Sequence, residues 1–189
     1  PCEMKDLLLG PLLSRASIHA NTAGVFKGFY KNGETGLGQF GGTGSDALLR
    51  ILGDIKLEVP VLSSFECDCQ VFQEDTNSLA PRLSGLDLAY IDPPYNQHPY
   101  GSNYFMLNLL VHYQRPKHIS RVSGIPTDWR RSGYNVRAKS LPLLSHLLRS
   151  IDARFLLVSF NNEGFISPSE MRSLLDALGS VEAFEVPYN

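Results

Sequence analysis

Little in this sequence serves as a covalent or metallic staple. Its 189 residues include 3 cysteines, an odd number, two of them in Cys67-Asp68-Cys69 with no further ligands at a usual zinc spacing. A disulfide-framed secreted scaffold and a zinc module are therefore excluded, no metal site is expected, and a reducing cytoplasm is the expected location. No apolar run reaches the length of about 18 residues that a membrane-spanning helix needs. The first thirty residues also lack the charged, apolar, small-residue order of a signal peptide, so no membrane partner is expected. Charge of one sign is not in excess either: 17 basic residues face 19 acidic ones, for a net charge of -2. Repeats and low-complexity tracts are absent from the sequence.

What is present is the composition of a folded domain, 43% hydrophobic and 19% charged, on a chain long enough to bury a core unaided. The charge is unevenly spread. Between positions 115 and 139 stand Arg115, Lys117, Arg121, Arg130, Arg131, Arg137 and Lys139, with Asp128 as the single acid. The chain begins Pro1-Cys2 without a methionine and stops inside an alternating run, so a fragment or a processed chain, incomplete at both ends, is expected.

The hydrophobic spacing predicts helices alternating with short strands. Residues 4–20 carry helical spacing of leucines, which Gly10-Pro11 should break or kink, and residues 21–44 read as Gly-rich loop with short strands. A short helix over 45–52 should stop at Gly53, with strands over 59–62 and 67–72. The run Leu86-Asp87-Leu88-Ala89-Tyr90-Ile91 reads as a buried parallel strand entering a loop at Asp92-Pro93-Pro94. Helices follow over 102–113 and 140–150, then the clearest strand, 154–160. Ser167-Pro168-Ser169-Glu170 predicts a capping box with proline at the first helical position, a helix ending near Gly179, and a last strand over 181–188. Such alternation implies an α/β layered fold with a largely parallel sheet, whose ligands bind at the carboxyl ends of the strands. Residues 1–64 are expected to form an N-terminal helical and Gly-rich segment, and residues 65–189 the core.

The string Asp92-Pro93-Pro94-Tyr95 carries the chemistry. A specified four-residue string arises by chance on the order of once per 10^5 positions at about 5% usage each. As plain structure it makes a rigid turn. As a site, its two fixed φ angles hold a carboxylate, unpaired backbone carbonyls and an aromatic face still. These groups suit methylation of an exocyclic amino group on a nucleobase. The amine's lone pair is conjugated into the ring, and acceptors on its two N–H bonds favour the pyramidal, nucleophilic geometry as the transition state forms. Asp92 and the Pro93 carbonyl are the candidate acceptors, and Tyr95 is the surface on which a base turned out of its duplex stacks.

With Leu86 to Ile91 before it, this motif resembles motif IV of the S-adenosylmethionine-dependent amino-methyltransferases, in the form typical of DNA adenine N6-methyltransferases. The run from Asp92 to Asn108, together with residues 25–31, 124–131 and 158–165, is similar to a bacterial adenine-specific DNA methylase subfamily. The resemblance implies a Rossmann-like sheet with helices on both faces, S-adenosylmethionine as cofactor, and double-stranded DNA with a flipped adenine as partner. It also implies a place in restriction-modification. Asp92, Pro93, Pro94 and Tyr95 become the catalytic residues, and Asp75, in the place of the family's motif III acid, binds the cofactor with Asp92 and Asn161. As plain structure, Asp75 caps a helix and Asn161 makes an Asx turn. Lys27, Trp129, Arg130, Arg131 and Tyr134 mix positive charge with aromatics and are the candidate DNA contacts.

The family's F-x-G-x-G cofactor loop is matched by Phe40-Gly41-Gly42-Thr43-Gly44, but residues 32–39 before it do not read as a buried strand. A plain glycine-rich loop is the preferred reading, with the true glycine motif expected upstream of Pro1. Two other functions are compatible with the motif: methylation of RNA or protein amino groups, and a catalytically incomplete nucleic-acid-binding module with the same fold.

Overall fold

The computed structural model describes residues 4–21, 30–120 and 125–187. In chain order its elements are α1 (Met4–Ala16), α2 (Leu48–Leu52), α3 (Thr76–Leu79), β1 (Leu86–Ile91), α4 (Tyr100–Asn103), α5 (Phe105–His112), α6 (Arg137–Ser150), β2 (Ala153–Val158) and α7 (Pro168–Asp176). Short 3-10 turns occupy Thr43–Ser45, Ala80–Arg82 and Gly133–Asn135. The chain divides into two units, one of residues 1–69 and 100–130, the other of residues 70–99 and 131–189.

The second unit holds the sheet. β1 and β2 pair in parallel, with Leu88 opposite Phe155, Ala89 opposite Leu156, Tyr90 opposite Leu157 and Ile91 opposite Val158. Asp152 seals the entry to the pair. Its carbonyl accepts the Leu86 amide at 3.1 Å and its Oδ2 the Gly85 amide at 2.9 Å. Beyond the far end the Ser159 amide still donates to the Ile91 carbonyl at 2.9 Å. There the ladder stops, because Pro93 and Pro94 have no N–H to continue it.

Alternation along the strands gives the sheet two unlike faces. Ala89 and Ile91 are buried and, with Leu156 and Val158, pack on Leu144, Leu147 and Leu148 of α6, on Ile166, and on Met171, Leu174 and Leu175 of α7. Leu144, Leu147 and Leu148 recur at the spacing of one helical face, and Leu144 has no solvent exposure. On the other face Leu88, Tyr90, Phe155 and Leu157 remain between 53% and 60% exposed. Helices thus cover one face of the pair among the described residues, where both faces were expected to be covered.

Most predicted elements are present, with instructive exceptions. α6 starts at Arg137, earlier than expected, because the Gly133–Asn135 turn feeds directly into it. α1 runs unbroken through Pro11, which forfeits one backbone bond without ending the helix. The helix expected over 102–113 is two, α4 and α5, separated at Tyr104 and closed by Tyr113 in the left-handed region at φ 50°. Residues 59–62, 67–72 and 181–187 are not strands, and Val59, Val61 and Val71 are at least 89% exposed. An alternating run becomes a strand only when a neighbour accepts its ladder bonds, and none does so here among the described residues. The capping box is present in full: Ser167 Oγ accepts the Glu170 amide at 3.3 Å while Glu170 Oε2 accepts the Ser167 amide at 2.8 Å.

In the first unit, the Lys31–Gly38 bridge closes a short antiparallel turn. Gly41 and Gly42 follow at φ 90° and 79°, then the 3-10 turn with Gly44 inside it at φ 65°, and then the five-residue α2. No strand precedes these glycines among the described residues.

Candidate active site at the carboxyl end of β1

β1 delivers Asp92 to solvent. The side chain is exposed, and its carboxylate makes no hydrogen bond or ion pair among the described residues. Pro93 behind it is buried, whereas Pro94, Tyr95 and Asn96 are half-buried. The loop is fastened along its length by residues remote in sequence. The Phe165 amide donates to the Tyr95 carbonyl at 2.8 Å, and the Tyr95 ring meets Phe160 edge-on, with centroids 6.2 Å apart at 71°. Asn135 Nδ2 donates to the Asn96 carbonyl at 2.8 Å, and Asn96 Oδ1 accepts the His98 amide at 2.9 Å. An aromatic ring braced on its edge keeps its faces available for stacking.

Asp75 stands at the N-terminus of α3 as a helix cap: its Oδ1 accepts the Ser78 amide at 3.1 Å and the Ser78 hydroxyl at 3.3 Å. Its Oδ2 makes no hydrogen bond among the described residues, so capping leaves one oxygen for a ligand. Asn161 lies just past β2, and its Oδ1 accepts the Glu163 amide at 2.6 Å in an Asx turn, which leaves its amide nitrogen as the group able to reach a ligand.

Behind these groups lies a polar cluster built on Asn77. Its Oδ1 accepts the Tyr134 hydroxyl at 2.8 Å, its Nδ2 donates to the Leu143 carbonyl at 2.8 Å, and the same nitrogen lies 3.1 Å from His146 Nδ1. Burial, with the nearby Asp75 carboxylate adding to it, pushes the Tyr134 phenol up to about 12. The hydroxyl therefore remains a donor through the whole neutral and mildly alkaline range. Tyr134 is 7% exposed, so its ring is part of the core and not of a surface open to phosphate.

The remaining expected DNA contacts are distributed along the chain. Arg130 and Arg131 are exposed and Trp129 is half-buried. Within the first unit, the α4 backbone approaches the Trp129–Arg130 stretch closely: a side chain at Gly101 would meet the Arg130 carbonyl at 2.8 Å and the Trp129 ring at 3.3 Å. Lys27 lies outside the described residues. Sequence reasoning missed Asn77. The available signal was an asparagine inside a helical turn, where intrinsic propensity disfavours it and a tertiary hydrogen bond explains it.

The fit to S-adenosylmethionine is partial. Asp75 Oδ2 and the Asn161 amide suit the nucleoside end of such a donor. The glycine loop is filled by its own chain, since a Cβ at Gly42 would meet Asp46 Oδ1 at 2.6 Å and one at Gly41 would meet Leu48 at 2.6 Å. Phe40 to Gly44 is thus packed against side chains of its own segment, with no strand before it among the described residues. Among the described residues no cluster of three metal-ligating side chains occurs, and no helix is long and apolar enough to cross a membrane.

Comparison with known proteins agrees with the motif. The family model for the D12 class N6 adenine-specific DNA methyltransferases matches residues 50–174. The chain is 31% identical over 183 residues to the type II methyltransferase M.NlaIII of Neisseria lactamica, covering 96% of this chain and 49% of that protein. It is 28% identical over 188 residues to modification methylase StsI of Streptococcus sanguinis, with 96% and 26% covered. Against the type II methyltransferase M.FokI of Planomicrobium okeanokoites it is 31% identical over 137 residues, with 72% and 21% covered. The chain thus spans half or less of the length of these relatives. No solved structure matches it. A motif at the end of a parallel strand and a family match that encloses it lead to one conclusion: the chain belongs to the D12 class of N6 adenine-specific DNA methyltransferases.

Proposed function

We propose that this chain carries the catalytic motif for methyl transfer to the N6 amino group of adenine in duplex DNA, with the target base turned out of the helix. The observation that carries the reading is the Asp92 carboxylate, exposed at the end of β1 with no hydrogen bond or ion pair among the described residues, beside a fastened Tyr95. S-Adenosylmethionine, when bound, supplies an electrophilic methyl group. Asp92 would accept one N–H of the adenine amine and the Pro93 carbonyl the other, which concentrates the nitrogen lone pair as the new N–C bond forms; the donor's S–C bond breaks to leave a neutral thioether, and the methylated nitrogen loses one of its protons to solvent. Tyr95 stacks the extruded base, its own ring braced edge-on by Phe160 and its carbonyl held by the Phe165 amide. Asp75 and Asn161 are the residues that would hold the nucleoside end of the donor. Arg130 and Arg131, exposed next to Trp129, suit phosphate contact. The parallel pairing of β1 and β2, with helices on one face, supports reading them as two neighbouring strands of a Rossmann-like sheet. The relatives are named type II methyltransferases and modification methylases, which supports a restriction-modification setting; that setting would put the chain in the cytoplasm.

The decisive experiment supplies methyl-labelled S-adenosylmethionine to the longest natural polypeptide carrying this chain, with duplex DNA, RNA and protein as separate acceptors. The expected result is label in DNA, recovered as N6-methyladenine. Label confined to RNA or protein overturns the adenine reading. DNA binding without transfer to any acceptor favours a nucleic-acid-binding module, the reading that the self-packed Phe40 to Gly44 loop supports.

A further inference from the structure

Two consecutive residues join parts of the second unit that the sequence keeps far apart. In the Gly133–Asn135 turn, the Tyr134 hydroxyl donates to Asn77 Oδ1 at 2.8 Å, across 57 positions. The next side chain, Asn135, donates to the Asn96 carbonyl at 2.8 Å, across 39 positions. Asn77 stands two residues after Asp75 on α3, and Asn96 directly follows Tyr95. One short turn therefore grips the supports of both the acid assigned to the donor and the motif assigned to the base. The turn is itself anchored. Ser132 Oγ accepts the Tyr134 amide at 3.2 Å, the Val136 amide returns to the Gly133 carbonyl at 3.1 Å, and the chain passes without a linker into α6, whose Leu144 is fully buried.

We propose that Tyr134 and Asn135 form a bracket that sets the spacing between Asp75 and the Asp92 to Tyr95 motif, each acting as a positioning residue for the transfer. The proposal rests on the adenine methyl-transfer reading above. Its physical basis is that group transfer between two bound partners needs both held within about 0.5 Å of the productive arrangement, and that such precision comes from side chains locked by packing and secondary hydrogen bonds. A phenylalanine at position 134 would fill the same space and leave Asn77 Oδ1 without its donor. An alanine at position 135 would release the Asn96 carbonyl and so remove one tether of the loop that carries Pro93 and Tyr95.

Tyr134→Phe and Asn135→Ala, in the longest natural polypeptide carrying the chain, test it. A hydrogen bond of this kind changes an equilibrium or a rate by about 3- to 10-fold. Tyr134→Phe should raise KM for S-adenosylmethionine by that factor with kcat nearly unchanged, and Asn135→Ala should lower kcat by that factor with the donor KM nearly unchanged. Amide hydrogen exchange on the same proteins reads the bracket without any activity. Tyr134→Phe should speed exchange at Ser78 and Leu79, whose amides donate to Asp75, and Asn135→Ala at His98 and Phe165, whose amides hold Asn96 and Tyr95. If both variants move kcat and KM together and speed exchange throughout β2 and α6, the residues are merely structural and the proposal fails. Unchanged exchange at the four named amides also overturns it. If the parent protein does not methylate adenine, the functional reading fails while the exchange data still decide the bracket.

Discussion

Two loops in this chain match strings that adenine methyltransferases use, and they differ in what stands before them. Asp92 to Tyr95 follows six residues of paired strand, so its carboxylate leaves the sheet at a defined height and its carbonyls are freed where the ladder ends. Phe40 to Gly44 follows a two-residue bridge at Lys31 and Gly38, and its glycines are crowded by Asp46 and Leu48 of its own chain. The first loop presents to solvent a carboxylate that makes no hydrogen bond among the described residues. The second has turned inward and spends its positive φ angles on local packing. A short string thus becomes a site through the element that aims it, and the strand-loop-helix context carries more of the assignment than the letters do.

The comparison breaks most visibly at Asp92. Asp92→Ala in the longest natural polypeptide should lower the methylation rate by at least about 10^2- to 10^3-fold, the usual effect of removing a group that stabilises charge in the transition state. Duplex affinity should change little, because phosphate contacts dominate it. Initial rates and a binding titration measure the two, and a variant with turnover within tenfold of the parent would sink the assignment. At the other loop the expectation is reversed. The chain of residues 1–189 alone should bind S-adenosylmethionine weakly or not at all by calorimetry, and Gly42→Val should destabilise the chain by about 1–3 kcal/mol, from strain at φ 79° and the clash with Asp46. Micromolar binding that Gly42→Val abolishes would show that the loop is a cofactor cradle after all.

How much was legible follows the same line. β1, β2, α6 and α7 could be read because each carries its own evidence: apolar runs stopped by proline, leucines at i, i+3 and i+4, and a capping box whose two hydrogen bonds both form. The motif could be read because its residue types are rare together and its chemistry is local. Residues 59–62, 67–72 and 181–187 show alternation as clear as many strands, yet pairing is a property of a neighbour and not of the run itself. The Asn77 cluster was out of reach for a related reason. It joins positions 57 to 69 residues apart through hydrogen bonds that leave no periodicity. Tyr134 illustrates the cost of reading composition alone, since a tyrosine near two arginines suggested a DNA-facing ring and the fold has buried it.

A smaller effect should separate the basic segment from ordinary solvated surface. Replacing Arg130 and Arg131 together by alanine should weaken duplex binding and reduce the slope of log affinity against log salt by about 2, since each lost phosphate contact removes about 0.9 from it. The parent and double variant, titrated on one duplex over a range of salt, give the slope directly. An unchanged slope would return both side chains to the status of solvated charge, and would leave the Asp92 loop as the sole functional feature of the comparison.

The smallest expected effect concerns the helix that backs β2. The Ser167 hydroxyl and amide hold the Glu170 carboxyl below the usual carboxylate range, with desolvation opposing them slightly. A carboxyl whose folded pKa is depressed stabilises the fold above its unfolded pKa and loses that contribution as pH falls through the folded value. The capping box should therefore be intact at neutral pH and weaken progressively as pH falls from about 4.5, where unfolded glutamate begins to protonate. Glu170→Gln keeps a hydrogen-bonding side chain at the third helical position but cannot ionise. Its stability relative to the parent, from urea unfolding at several pH values, should be lower at neutral pH and converge with the parent in acid. Because Met171, Leu174 and Leu175 of the same helix pack on the core that supports β1 and β2, the loss should appear in global unfolding and not only as fraying of α7. A constant difference between the two proteins across that pH range would mean that hydrogen-bond geometry, and not the charge on Glu170, makes the cap.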